Sequence, residues 1–182
     1  MASLAVRRRL LWLLVAVLLL AGGVSLDREL ASRSSGGDPP PAAVGTDEVV
    51  RVVDGDTVVL RGAGKSRLIG VDTPEVFGGR ECYGREASAF AKRLLRPGLR
   101  VGIERDVEER DRYGRTLIYL RLPDRRSFNE LLVGEGIAVP LMVPPNVRHA
   151  ERFRSLARRA RERGAGLWSS SACGGDPDRR VA

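Results

Sequence analysis

Lysine is nearly missing from this chain: among 182 residues of formal net charge +8 it occurs only at Lys65 and Lys92. The basic balance therefore rests on arginine, whose planar fork suits bidentate contact with phosphate. Histidine occurs once, at His149, far in sequence from the acidic motifs, and it reads as a helix-start residue rather than a general base. No internal repeat is present, which excludes a solenoid. Cysteine is limited to Cys82 and Cys173. In an exported chain an even count invites pairing, with two unpaired thiols as the alternative. A bridge between them would close a long loop, worth about 4 kcal/mol in the chain-entropy picture.

Long apolar runs are also scarce. The one from Leu10 to Val24 falls short of the ~20 residues of a comfortable membrane span. It follows the basic MASLAVRRR and reaches small residues at Ala21-Gly22-Gly23. Residues 1–24 therefore read as a signal peptide or an N-terminal membrane anchor, and both place the remainder outside the cytoplasm, secreted or tethered to the outer face of the cell membrane. Residues 25–45, rich in Ser, Gly, Pro and Ala, have little to bury and read as a disordered linker. Residues 173–182 read as a tail. Between them, 46–172 suit one domain, and at 43% hydrophobic and 30% charged the chain can build a core.

Within that domain EVVRVVD, TVVLR, KSRLIGV, LRVGIER and RTLIYLRL read as five strands, with a short GIAVP after them, most too close together for parallel crossovers. Three helices accompany them. GREASAFAKRLL carries an apolar stripe, SFNELL opens with a capping box of Ser127 and Glu130, and a last arginine-rich helix is capped by Asn146. The pattern predicts an α+β fold built on a small antiparallel five-stranded β-barrel of the OB type, with a curled open sheet as the alternative.

Acids are placed unexpectedly in so basic a chain. VVDGDTVVL and RLIGVDTPE set Asp54, Asp56, Asp72 and Glu75 at the ends of neighbouring strands. Each stretch alone is ordinary turn chemistry. Together the acids repel one another unless something positive lies between them: a hard divalent cation with oxygen ligands, or an arginine in a structural ion-pair network. The missing ligand positions exclude an EF-hand. RDRYGRTLIYL adds Arg110, Arg112 and Arg115 around Tyr113-Gly114, and Arg67 starts its own strand. Strict alternation sets Arg67 and Asp72 on opposite faces, so both reach one point only if the strand turns, with Gly70 as the place.

DGDT, RLIGVDTPE and DRYGR, in that order, followed by SFNELLVGEGIA, PPN and GLW, resemble the staphylococcal-nuclease-like (thermonuclease) family over nearly all of residues 46–169. The resemblance implies a monomeric, calcium-dependent phosphodiesterase on an OB-fold, acting on DNA and possible RNA substrates with little sequence preference. It implies that Asp56, Asp72 and the Thr73 carbonyl hold Ca²⁺. By the same resemblance Glu75 activates or positions water, and Arg67 and Arg115 grip the scissile phosphate. Arg112 and Tyr113 are the accompanying substrate-binding candidates. Relatives can present tyrosines where this chain has Leu141, Met142 and Val143, which implies weaker base stacking. A non-catalytic OB-fold module binding nucleic acid or another polyanion is the competing reading.

Overall fold

Strand β1 (Gly45–Val52) is the seam of the domain. Its first half pairs antiparallel with β5 (Arg100–Glu104), from Gly45 opposite Ile103 to Glu48 opposite Arg100. Its second half pairs antiparallel with β2 (Thr57–Leu60), and the register slips between Val49 and Arg51. Such an irregularity gives a strand the bend it needs to serve two neighbours. β2 turns back into β3 (Gly64–Leu68), β3 lies parallel to β6 (Thr116–Arg121), and β6 is antiparallel to β5. The result is a closed barrel in the order β1-β2-β3-β6-β5, as expected of an OB-fold. It is mixed rather than wholly antiparallel, because helix α1 (Gly84–Leu94) and β5 intervene between β3 and β6 and let the chain return in the same sense.

The computed structural model describes residues 45–76, 81–174, 176 and 179. The leader or anchor expected over 1–24, and the linker expected over 25–45 apart from Gly45, lie outside them. Val49, Val58, Leu60, Leu68, Ile118 and Leu120 of the barrel share one apolar cluster with Ala87 and Ala91 of α1. Phe128 and Leu132 of α2 (Phe128–Gly134), and Phe153 and Ala157 of α3 (Ala150–Glu162), complete it. At the start of α2 Ser127 accepts the Glu130 N–H, but the Glu130 carboxylate turns to Arg152 of α3, so half of the expected capping box forms. Asn146 does not cap α3; His149 occupies that position. The Asn146 amide instead accepts the Glu108 N–H and donates to the Glu108 carbonyl, both at 2.8 Å. One carboxamide thereby satisfies both backbone groups of a single residue, where a cap would satisfy only one.

The run expected as a single strand, KSRLIGV, breaks at Ile69. Gly70 has φ +77°, and a Cβ there would lie 2.3 Å from Cε2 of Phe153. Beyond it β4 (Gly70–Asp72) leaves the barrel and pairs antiparallel with β7 (Val139–Leu141). The buried Asn129 of α2 pins the junction, donating to the Ile69 carbonyl at 2.9 Å and accepting the Leu120 N–H at 2.9 Å.

A second polar centre lies at the end of β5. Glu104, 2% exposed, accepts from Arg121 at 2.7 Å and Arg148 at 3.2 Å, and lies 3.2 Å from His149 Nε2. Asp106 takes the Tyr119 hydroxyl at 2.8 Å and the Arg148 N–H at 3.2 Å. Burial alone would push the Glu104 carboxyl up; hydrogen bonds from Arg121 and His149 outweigh it and hold it below the ordinary value of 4.5.

Two outcomes are expected. Gly70→Ala combines left-handed backbone strain with overpacking against Phe153 and lowers unfolding free energy by about 2–4 kcal/mol, read from urea midpoints. A loss below about 0.5 kcal/mol would contradict the turn. Glu104 contributes stability that is complete above the unfolded carboxylate pKa and lost as pH falls through its lower folded value. Glu104→Gln is therefore destabilising by about 1.5–3 kcal/mol at pH 7, with the gap closing on acidification below about pH 4.5. Parallel stability curves for the two proteins from pH 7 to pH 3 would exclude this role.

Candidate active site

The turn at Gly70 brings both ends of RLIGVD to one guanidinium. Arg67 Nε lies 3.1 Å from Asp56 Oδ1 and Nη2 lies 2.7 Å from Asp72 Oδ1. Its Nη1 donates to the carbonyls of Leu68 at 2.8 Å and Val71 at 2.7 Å. The positive group between these two acids is thus Arg67 itself, the ion-pair arrangement. Asp56 is buried, and its second oxygen accepts both the Thr73 N–H (2.8 Å) and the Thr73 hydroxyl (2.9 Å). Burial, with help from Asp54, pushes the Asp56 carboxyl up to about 6 even though Arg67 and Thr73 pull the other way. Burial, more than any neighbouring charge, is what makes the ionised form of Asp56 costly here.

Glu75 is exposed, two residues past Thr73. Its backbone N–H donates to Glu81 Oε2 at 2.8 Å, and the Glu81 N–H returns to the Glu75 carbonyl at 3.1 Å. Partial desolvation, then the charges of Asp54, Glu81 and Asp72, push its carboxyl above the ordinary range, with Arg67 opposing. A carboxylate so raised is a better proton acceptor.

Arg115 comes from the turn that leads into β6. Asp111 organises that turn by accepting the Tyr113 and Arg115 N–H groups, each at 2.9 Å, and the Arg115 Nε at 2.6 Å. Arg112 and Arg115 flank the Tyr113 ring, their guanidinium carbons 4.8 Å and 5.4 Å from its centroid. Arg67, Arg112, Tyr113 and Arg115 line one cavity of about 490 Å³ together with Leu117, Leu141, Val143 and Asn146. The volume suits a nucleotide-sized ligand. Asp56, Asp72, Thr73 and Glu75 do not line it; Asp56 and Asp72 join it through Arg67, and Glu75 stands near them.

The staphylococcal nuclease homologue family matches residues 65–170, a span that holds Arg67, Asp72, Thr73, Glu75 and Arg115. The thermonuclease of Staphylococcus hyicus is 41% identical over 131 residues, covering 69% of this chain and 76% of that protein. The chain belongs to the staphylococcal nuclease homologue family. The thermonuclease of Staphylococcus intermedius is 39% identical over 126 residues, 66% of this chain and 74% of its own length. Endonuclease YncB of Bacillus subtilis is 36% identical over 129 residues, 66% of this chain and 60% of its own.

In this staphylococcal nuclease homologue, sequence reasoning passed over Asp111 and Glu108, and misassigned Asn146. The signal for Asp111 was available, since an Asp two residues before Tyr113 and three before a glycine is the pattern of a side-chain-stabilised turn. Glu108 meets Asn146 from 38 positions away, which no local pattern reveals. His149 lies at Glu104, in the other polar centre.

Cys82 and Cys173 form a disulfide (S–S 2.06 Å) beside Leu167 and Trp168. Cys82 follows the residue that holds the Glu75 backbone, and Gly84 lies so close that a Cβ would sit 2.5 Å from the Glu75 carbonyl oxygen. The bridge therefore anchors the return side of the segment that presents Glu75. Thiol titration of the denatured, unreduced protein is expected to find none, and reduction to lower unfolding free energy by about 4 kcal/mol. Two titratable thiols would remove the bridge.

Proposed function

We propose that the protein is an exported nuclease that hydrolyses phosphodiester bonds of DNA and RNA with little sequence preference and requires a hard divalent cation, calcium first. The observation that carries this reading is the coexistence of acids and arginines at one place: Asp56, Asp72 and Glu75 around Arg67, with Arg67 and Arg115 opening into one cavity. A module that only binds polyanions gains nothing from carboxylates beside its phosphate site. The names of the thermonuclease and endonuclease relatives point the same way.

The donor set fits a hard cation. It is all oxygen, two carboxylates and a main-chain carbonyl. Asp56, Asp72 and the Thr73 carbonyl are the groups that would hold it. No cluster of three or more acidic, His or Cys side chains converges among the described residues, so water and substrate would fill the remaining positions and affinity would be weak, about 10⁻⁴–10⁻³ M. Bound calcium supplies positive charge to the phosphoryl oxygens. The chain's own groups do the rest. Arg115 places a guanidinium on the phosphate, worth about 10³–10⁵ in comparable phosphoryl-transfer sites. Arg67 exchanges a carboxylate partner for a phosphate oxygen, keeping a charge-assisted bond throughout. Glu75 accepts or orients the proton of the attacking water, a contribution of about 10²–10⁴. Tyr113 and its flanking arginines offer one stacking surface, whereas Leu141 and Val143 add apolar contact without rings, so base affinity is modest.

Export is supported by the basic-then-apolar N-terminal run and by a long-range disulfide, which persists in oxidising compartments. Denatured DNA is expected to be cleaved by the full chain with calcium and not with excess chelator. Glu75→Gln and Arg115→Ala should lower turnover by about 10²–10⁴ and 10³–10⁵ with unchanged unfolding midpoints. Near-normal turnover in both variants would reject the mechanism, and tight DNA binding without hydrolysis would establish the polyanion-binding module instead.

A further inference from the structure

Helix α3 and its C-cap carry six arginines against Glu151 and Glu162. On one side they serve the fold: Arg152 pairs with Glu130 at 2.8 Å, Arg163 donates to the Gly134 carbonyl at 2.9 Å, and Arg159 donates to Ser155 at 3.0 Å. The other side differs. Arg154, Arg158 and Arg161 recur at helical spacing as one exposed line. Arg154 pairs with Glu151 of its own helix, one turn earlier. The Arg158 side chain makes no ion pair or hydrogen bond among the described residues. Arg161 lies over the Trp168 ring, 4.2 Å from its centroid.

These three arginines share a groove of about 510 Å³ with Pro140, Met142 and one acid, Glu162. Strand alternation makes the β7 segment a partition between two concavities. Leu141 and Val143 line the active-site cavity; Pro140 and Met142 line the arginine groove. A chain passing over β7 leaves one and enters the other. Arginines kept only for solubility have no reason to border a concavity or to be fixed on an indole. Fixing Arg161 in advance also reduces the entropy lost when an anion is captured.

We propose that the Arg154-Arg158-Arg161 groove is a second contact for the polynucleotide, holding backbone phosphates that flank the bond being cleaved. It rests on the nuclease reading above and extends it from a nucleotide-sized site to a strand-length one. The groove contributes to capture of long strands and not to the chemical step.

The test compares the full chain with the triple variant Arg154→Gln, Arg158→Gln, Arg161→Gln, and with an equal loss of charge elsewhere, Arg85→Gln, Lys92→Gln, Arg96→Gln. In the groove variant KM for long denatured DNA should rise about tenfold or more, while kinetics on a dinucleotide stay unchanged. Its slope of log affinity against log salt should flatten by about 2, since each single-strand phosphate contact contributes about 0.7. Lysines at the same three positions should retain the slope. An equal effect in the control variant overturns the proposal by reducing it to net charge. An unchanged KM for long DNA, with reduced binding to phosphatidylglycerol vesicles relative to neutral ones, overturns it in favour of a membrane-facing surface. If the unsubstituted protein hydrolyses neither substrate, the nuclease reading fails separately; fluorescence anisotropy of long DNA then decides the groove by the same slope difference.

Discussion

One guanidinium organises the functional end of this barrel. Arg67 donates to two carboxylates and two main-chain carbonyls, and these acceptors come from β2's leading turn, from the end of β3 and from β4. Without a cation between them, Asp56 and Asp72 would repel, and the three pieces of chain would have no common point. The same group also faces the cavity, so the residue that holds the acids in place is open to that space. Structure and chemistry compete for a single side chain. A site built this way holds its acids through one internal cation.

That economy depends on a backbone event three residues away. Gly70 takes a left-handed conformation under the Phe153 ring, and the strand that was part of the barrel becomes part of a separate two-stranded sheet. Asn129, reaching from α2, secures the carbonyl at the break. Helix, barrel and small sheet meet there, so a packing contact between Gly70 and Phe153 bears on electrostatics at Arg67.

Much of this was legible in the sequence, for local reasons. β-Branched runs punctuated by Asp-Gly, Gly-Ala-Gly and Pro-Gly announce short strands, and the helical stripes lie close to where the helices form. Gly70 stood out because alternation set Arg67 and Asp72 on opposite faces of one strand, a conflict only a turn resolves. The illegible parts are those decided at long range. The parallel pairing of β3 with β6, the Asn146–Glu108 pair, and the choice of Arg67's partners depend on residues tens of positions apart. Arg67 in particular could be read as a phosphate ligand or as a counterion to the acids, and sequence alone carries no weight for one over the other. The arginines of α3 were visible as a charge-dense helix, but only packing separates those engaged with α2 from those that are not.

Every strand of the barrel lies between Gly45 and Arg121. Leu141 and Val143, which bound the cavity, come later, and Cys173 comes later still. A chain delivered amino end first can therefore seal its barrel while the wall of the cavity is still being made. The cysteine that ties down the neighbourhood of Glu75 finds its partner only when almost the whole polypeptide has emerged. The order of the elements along the chain acts as a clock: the scaffold is finished early, and the cavity wall and the bridge behind Glu75 are assembled last.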